Sequence, residues 1–364
     1  MDTPAGGTRV PVRDDLRALA RYHSARVDVP VRLNVNESPY PPPAGWRDEL
    51  AAAIATIEWH RYPDRTARDL RAAIADWHGV RAEQVFAANG SNEVLQTLLL
   101  AYGGSGRTVV TFEPTYQLHG HIARITGTSV VEGERADDFS LDPSGAREIV
   151  DSAQPVVTFL CSPNNPTGLV EPPALVHAVL DAAPGLVVVD EAYAQFADWT
   201  ALELVGDEVP LVVVRTFSKT WSMAGARLGY LVGPEWVVEA LQQVVLPYHL
   251  DAAKQLAGTL ALRHVDEMDA RVKQIVAERE RLAEALHRLP VDTFPSGANF
   301  ILFRPADGPA VWNALVDRGV LVRDCSSWPR LTNCLRVTVG TPEENDCFLD
   351  ALGAALSTSG VTVR

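Results

Sequence analysis

The chain has 364 residues, more than one compact hydrophobic core normally serves, so we expect two structural domains. Hydrophobic residues make up 47% and charged residues 21%, which is typical of a globular protein and argues against a disordered or fibrous one. The formal net charge is −14 and no basic stripe is present, so neither nucleic acid nor an anionic membrane is an expected partner.

The cysteines and the hydropathy of the sequence indicate the cellular compartment in which we expect the protein. The four cysteines include no Cys-x-x-Cys pair and no zinc-type Cys/His spacing, which fits a reducing environment. The first thirty residues contain no apolar segment of the signal-peptide type, and no stretch approaches the roughly 18 uninterrupted apolar residues of a membrane span. We therefore expect a cytoplasmic protein without a membrane-spanning segment.

The first two thirds of the chain alternate predicted helices with predicted strands. Helices are predicted over 46–59, 70–80 and within 89–102. Strands are predicted over the β-branched, apolar runs 107–112, 155–161, 185–193 and 209–219. Several of these runs are continuously apolar, as in strands that helices cover on both faces. The pattern predicts an α/β fold with a mostly parallel, doubly wound sheet.

The pattern changes after about residue 250. A long charged helix at 266–289 is followed by apolar strand candidates and another helix at 309–319, which is typical of a smaller α+β domain. The predicted division is an N-terminal arm with part of the small domain at 1–45, a large domain at 46–255 and a small C-terminal domain at 256–364. Ligands of doubly wound sheets bind beyond the carboxyl ends of the strands, so site residues should follow those strands.

A lysine stands directly after the last of these strands. Lys219 is preceded by Thr216 and Ser218 and is followed eight residues later by Arg227. Most single lysines are solvated surface residues, and that interpretation stays open for this one taken alone. The alternative is an amine that bonds covalently to an aldehyde, beside hydroxyls and an arginine that hold a phosphate dianion.

The neighbouring strand run, 185–193, carries Asp190 and Tyr193. A carboxylate here can pair with a protonated pyridine nitrogen, and the tyrosine hydroxyl can hydrogen-bond a phenolate oxygen of the same ring. An aspartate that caps a following helix is an equally adequate explanation of this motif in isolation.

Two more segments favour a bound ring or anion. Asn165 begins the turn Asn-Pro-Thr-Gly after the strand at 155–161, where its amide could meet a ring oxygen. Ser91 and Asn92 open a helix whose first backbone N–H groups form an anion site. Each segment alone could be only a tight turn or an ordinary helix start.

The order of these four segments resembles that of fold-type-I pyridoxal-phosphate enzymes, the aspartate aminotransferase superfamily. A finer resemblance, to histidinol-phosphate aminotransferases, is carried by the segments 21–26, 33–43, 60–71, 87–93, 113–119 and 319–345. It implies pyridoxal 5'-phosphate bound covalently to Lys219, and a homodimer in which Tyr62 reaches the cofactor phosphate of the neighbouring subunit's site.

The same resemblance implies roles for the remaining candidates. The implied catalytic residues are Lys219, Asp190 and Tyr193. The implied cofactor-binding residues also include Ser91, Asn92, Tyr116, Asn165, Thr216, Ser218 and Arg227. The implied substrate-binding residues are Arg336 and Asn36 for a carboxylate, and Arg323 and Tyr22 for a phosphate. No metal site is expected, because His60, His119 and His121 are interpreted as solvated or locally hydrogen-bonded histidines.

The implied reaction is transfer of an amino group from L-histidinol phosphate to 2-oxoglutarate, which gives imidazole acetol phosphate and L-glutamate in histidine biosynthesis. Two arginines in apolar strands need anionic partners, and Arg323 and Arg336 could meet the phosphate and carboxylates of these substrates. Asp324 is the alternative, structural partner of Arg323.

Other functions on the same scaffold stay open. They are an aromatic amino acid aminotransferase, a pyridoxal-phosphate decarboxylase or oxidase, and a regulator without enzymatic activity. Trp221 and Trp328 depart from the expected pattern, and both are predicted to reshape the substrate pocket.

Overall fold

The computed structural model describes residues 10–17, 19 and 27–358, which contain two β-sheets and the helices that cover them. The strands are β1 (Val31–Leu33), β2 (Val85–Ala88), β3 (Thr108–Glu113), β4 (Ser129–Glu134), β5 (Val157–Cys161), β6 (Leu186–Asp190), β7 (Leu211–Thr216), β8 (Gly229–Val232), β9 (Asp292–Thr293), β10 (Phe300–Arg304), β11 (Val320–Asp324) and β12 (Leu335–Thr338). The α-helices are α1 (Ala44–Ile54), α2 (Arg68–His78), α3 (Ser91–Tyr102), α4 (Leu118–Ile125), α5 (Pro143–Ala153), α6 (Pro173–Ala182), α7 (Glu235–Val244), α8 (Ala252–Ala261), α9 (Val265–Leu286), α10 (Gly308–Asp317) and α11 (Pro342–Thr358).

The larger sheet has seven strands in the spatial order β2-β8-β7-β6-β5-β3-β4. Only β8 runs antiparallel to its neighbours, β2 and β7, while the other pairs are parallel. The predicted α/β fold with a mostly parallel, doubly wound sheet is therefore confirmed. Because β5, β6 and β7 are parallel neighbours, their carboxyl ends meet at one edge of the sheet.

Side chains of the central strands alternate between two hydrophobic cores. On β6, Val188 packs with Leu95 of α3 on one face, whereas Val187 and Val189 pack with Val176 of α6 on the other. Burial on both faces explains why the strand is continuously apolar up to its last residue. The polar side chains that follow the strands are therefore placed at the sheet edge.

The smaller sheet has five strands in the order β1-β11-β12-β10-β9. Its β1 pairs in parallel with β11, so the segment at 31–33 joins strands from the last quarter of the chain. Helices α9, α10 and α11 cover this sheet through a core that includes Leu282, Leu315 and Phe348.

One detail of the predicted organisation is wrong, and the predicted domain division is not tested. The helix predicted over 46–59 ends at Ile54, where the Thr56 hydroxyl bonds the carbonyl of Ala53 and so competes with the next helical turn. The boundary predicted between residues 255 and 256 divides α8. Because α8 packs against α1 and α2, a division after α8 fits better, and the division into domains stays a prediction.

No helix in the described ranges has both the length and the apolarity that a bilayer span requires. In the same part of the chain, no group of three or more histidine, cysteine, aspartate or glutamate side chains is arranged to hold a metal ion.

Candidate active site

A cleft of about 1140 Å³ is lined by residues of both sheets. Most of the residues singled out in the sequence line it, namely Asn36, Ser91, Asn92, Tyr116, Asn165, Asp190, Tyr193, Thr216, Ser218, Lys219, Arg227, Arg323 and Arg336. The larger sheet contributes the carboxyl ends of β5, β6 and β7, and the smaller sheet contributes β11 and β12. The structure thus brings together segments that lie far apart in the sequence.

The other two candidates, Tyr22 and Tyr62, are not tested as residues of this cleft. Tyr22 lies outside the described residues. Tyr62 is 80% exposed, and its ring stacks on that of Tyr248 with centroids 4.5 Å apart. Its predicted role in a neighbouring subunit's site stays a prediction.

One end of the cleft is built to bind an anion. The Arg227 Nη1 group donates to the Ser218 hydroxyl oxygen at 3.3 Å, and the Thr216 hydroxyl also donates to that oxygen, at 3.0 Å. The N-terminus of α3 lies beside them, since a Cβ added to Gly90 would be 3.0 Å from Arg227 Nη2. The oxygen partners found for Arg227 are a hydroxyl and a carbonyl, so its positive charge is available to a phosphate.

The close approach of α3 depends on a second glycine. A Cβ added to Gly229 on β8 would lie 2.3 Å from the backbone nitrogen of Ser91. No side chain fits at this distance. The start of α3 can therefore pack this closely against β8 only because residue 229 has no side chain.

Asp190 lies at the carboxyl end of β6 and is almost completely buried. Its Oδ2 accepts a hydrogen bond from His119 Nε2 at 3.0 Å, and its Oδ1 accepts one from the backbone N–H of Ala192 at 3.2 Å. A buried carboxylate is costly unless hydrogen bonds and a positive charge compensate it. A protonated pyridine nitrogen would supply that charge.

His119 is the functional residue that the sequence analysis missed. Its ring is buried between an edge-on Tyr116 and a parallel Phe159, at centroid distances of 5.4 and 4.7 Å. The interpretation of His119 as solvated or locally hydrogen-bonded is wrong, because its partner Asp190 is 71 residues away in sequence. Nothing in the local sequence of α4 signals this contact.

Lys219 Nζ donates to the carbonyl oxygen of Val35 at 3.2 Å and lies 5.5 Å from the centroid of the Tyr193 ring. Burial, together with the positive charges of Arg336 and Arg227, lowers the pKa of Lys219 to about 7 against the opposing effects of the Glu37 and Asp190 carboxylates. Near neutral pH the amine is therefore neutral in a large fraction of molecules, which is the form that reacts with an aldehyde.

Tyr193 and Asn36 form a hydrogen-bonded group close to Lys219. The Asn36 side-chain amide donates to the Tyr193 hydroxyl oxygen at 3.0 Å. Burial raises the pKa of Tyr193 to about 12, so the phenol stays protonated at neutral pH. Because its oxygen already accepts from Asn36, the phenolic hydrogen can be donated to a ligand.

Arg336 on β12 is also buried. Its Nη1 donates to the Asn165 side-chain oxygen and its Nη2 to the carbonyl oxygen of Asn34 at 3.1 Å. Its Nε has no hydrogen-bond partner among the described residues. A buried guanidinium with neutral partners and an unused donor is suited to a carboxylate ligand.

The two tryptophans differ in location. Trp328 lines the cleft, as predicted, and the Arg323 guanidinium carbon lies 5.3 Å from the centroid of its ring. The prediction for Trp221 is wrong. Its ring is buried in a hydrophobic core against Trp77 and Phe217 and does not line the cleft.

The anion pocket, the buried carboxylate and the amine that line the cleft fit pyridoxal phosphate. The anion pocket at the start of α3 suits its phosphate, the buried Asp190 carboxylate suits its ring nitrogen, and the amine of Lys219 suits its aldehyde. Arg336, with its unpartnered Nε, leaves a second anion site for a substrate.

Comparisons with known proteins agree with this geometry. Residues 29–352 match the family model described as aminotransferase class I and II. A histidinol-phosphate aminotransferase of Frankia casuarinae is 47% identical over 96% of this chain and 91% of its own length. One of Streptomyces avermitilis is 46% identical over 94% and 96%.

A solved structure has the same fold. The histidinol-phosphate aminotransferase of Sinorhizobium meliloti, in complex with pyridoxal-5'-phosphate, has a TM-score of 0.83 over 91% of this chain and 92% of its own, at 24% identity. Together with the full-length relatives, the family match shows that the chain belongs to the class I and II aminotransferases, which are pyridoxal-phosphate-dependent enzymes.

Proposed function

We propose that this aminotransferase transfers the amino group of L-histidinol phosphate to 2-oxoglutarate, in the cytoplasm. The observation that carries the proposal is a pair of arginines at the cleft. Arg323 and Arg336 stand directly opposite each other on β11 and β12, so their side chains leave the same face of the sheet. One can meet a phosphate and the other a carboxylate. The names of the full-length relatives support the same substrate.

The bound cofactor supplies a ring that withdraws electrons from the carbon bearing the substrate's amino group. Ser218, Arg227 and the start of α3 would hold its phosphate. Asp190 would keep its ring nitrogen protonated, and His119 orients that carboxylate through the 3.0 Å hydrogen bond.

Lys219 moves the proton. With its pKa lowered to about 7, Nζ can accept a proton from the substrate carbon and return it near neutral pH. Tyr193 stays a hydrogen-bond donor because its pKa is raised to about 12. The carbonyl of Val35 fixes the position of Nζ between these groups.

The lowered pKa of Lys219 has a measurable consequence in the cofactor-free protein. Reductive methylation with formaldehyde and cyanoborohydride as the hydride donor requires the neutral amine, so the rate at Lys219 should rise with pH to a midpoint of about 7 and then level off. Below that pH the rate should fall about tenfold per unit as the amine takes up a proton. Peptide mapping reads the modification residue by residue.

Arg336→Gln provides the matched variant for this titration. It removes a positive charge that lowers the pKa of Lys219, so the midpoint should move to higher pH. A midpoint near 10 in the unsubstituted protein would contradict the burial that we assign to this amine.

Tyr62 supports a homodimer with shared active sites. Its exposed ring stacks on that of Tyr248, and Trp59 and Leu246, which are close to them in the sequence, are exposed as well. Exposed apolar side chains that form a surface together are commonly part of an interface. In a twofold-symmetric dimer the same surface faces itself, which allows each Tyr62 to reach the other subunit's cleft.

Hybrid dimers test this arrangement. Lys219→Ala and Tyr62→Ala proteins should each be nearly inactive, and their equimolar mixture should regain about one quarter of the unsubstituted activity. Half of the dimers are hybrids, and each hybrid has one site with both residues. No recovery after demonstrated subunit exchange would count against a shared site.

The substrate is tested by steady-state kinetics of the unsubstituted holoenzyme. We expect kcat/KM for L-histidinol phosphate to exceed that for L-phenylalanine and L-tyrosine, with 2-oxoglutarate as acceptor. A preference for the aromatic amino acids would replace the proposed substrate by the alternative on the same scaffold.

A further inference from the structure

The loop between β11 and β12, residues 325–334, has features that the proposed reaction does not use. Trp328 of this loop lines the cleft, and the Arg323 guanidinium lies 5.3 Å from its ring centroid. This distance is typical of an attractive cation–π contact. A long arginine side chain that packs over an aromatic ring loses less conformational freedom when it binds an anion.

Arg330 of the same loop forms two ion pairs with residues at the edge of the larger sheet. Its Nη1 donates to Glu134 Oε2 and its Nη2 to Asp137 Oδ1, both at 2.8 Å. Glu134 is the last residue of β4 and Asp137 follows it closely. The two ion pairs therefore connect a loop of the smaller sheet to the edge of the larger one.

The backbone at Arg330 adopts a conformation that is unusual for an arginine. Its φ of +62° lies in the left-handed region, which residues other than glycine rarely adopt. Glycine would adopt this conformation without steric cost. Unlike glycine, the arginine at this position forms the two ion pairs.

Trp328 is also fixed from within the loop. Its backbone N–H donates to the carbonyl of Cys325 at 2.9 Å, and its own carbonyl accepts from Leu331 N–H at 3.1 Å. Leu331 is completely buried in a small core with Cys325 and Cys334. The side chain of Trp328 also packs against this small core.

We propose that Trp328 is a specificity-determining residue and that Arg330 is a positioning residue for it. Arg330 holds the loop against the larger sheet, and Trp328 holds the Arg323 guanidinium where the anionic end of the substrate binds. The inference rests on the proposed function, because it assigns the phosphate of L-histidinol phosphate to Arg323. We expect Trp328 and Arg330 to contribute only to the binding of substrates with a phosphate.

The test compares L-histidinol phosphate with L-histidinol, which lacks the phosphate. In Trp328→Leu, KM for L-histidinol phosphate should rise about fivefold to tenfold, because the cation–π contact is lost. Its kcat should stay within about twofold, and kcat/KM for L-histidinol should be unchanged. Trp328→Phe keeps an aromatic face and should restore most of the discrimination.

Arg330→Gly separates positioning from folding. It removes both ion pairs and suits the left-handed backbone, so the chain should fold, and KM for L-histidinol phosphate should rise in the same direction by a smaller factor. Arg81→Ala is the matched control. Arg81 also bridges two carboxylates, Asp207 and Glu235, but it does not line the cleft, so its kinetics should be unchanged.

The possible outcomes distinguish failure of the inference about the loop from failure of the proposed function. An unsubstituted enzyme that does not prefer L-histidinol phosphate over L-histidinol would overturn the proposed function and this inference with it. If the preference exists and persists in both Trp328→Leu and Arg330→Gly, or if both substrates are affected equally, only the role of the loop is overturned.

Discussion

Lys219→Ala is expected to abolish transamination, with a loss on the order of 10⁴-fold or more. The substitution removes both the amine that binds the cofactor and the group that carries the proton. It also removes the hydrogen bond to the Val35 carbonyl, but no buried charge loses its partner. The folded state should therefore survive, and the loss should appear in kcat for every amino donor.

Lys273→Ala is the control for this substitution. Lys273 is an exposed residue of α9 that does not line the cleft, so its replacement should leave the kinetics unchanged. Thermal melting of both variants, within a few degrees of the unsubstituted protein, would show that the loss belongs to the chemistry. Substantial activity in Lys219→Ala would contradict the assigned role.

Replacement of Arg336 and replacement of Arg323 are expected to lower kcat/KM for different substrates. Arg336→Ala should chiefly lower kcat/KM for L-glutamate and 2-oxoglutarate, because their carboxylate loses its buried partner. Arg323→Ala should chiefly lower it for L-histidinol phosphate. Each hydrogen bond lost to a charged group costs about 1.5–3 kcal/mol, which is roughly tenfold to over a hundredfold in kcat/KM.

Arg336→Lys is the matched variant for the first of these. It keeps the charge but loses the planar pair of donors that now bonds Asn165 and the Asn34 carbonyl, so it should recover only part of the activity. Kinetics of each variant with both substrate classes decide the assignment. If Arg323→Ala leaves turnover of L-histidinol phosphate unchanged, Arg323 does not bind the phosphate.

Much of the larger sheet and its site could be predicted because both depend on local sequence. The strands β5, β6 and β7 are fully buried and mostly apolar because helices cover both faces, and polar residues gather toward the end of β6 and β7. Asp190 and Lys219 stand at such ends. Parallel neighbours bring those ends to one edge, so sequence order was enough to place them together.

Contacts between distant segments could not be predicted in this way. His119 has no local pattern that indicates Asp190, and its position depends on how α4 packs against α3, β3 and β4. The burial of Trp221 depends on a chain reversal after Lys219 that brings it against Trp77. The Arg330 ion pairs join two sheets and have no signature in the sequence around either partner.

Borohydride reduction of the holoenzyme, followed by peptide mapping, tests the central claim most directly. Reduction makes the bond between cofactor and lysine permanent, so the labelled residue identifies the amine in the cleft. We predict that the label is found on Lys219 and is absent in Lys219→Ala. A label on Lys254 or Lys273 of the unsubstituted protein would contradict the account.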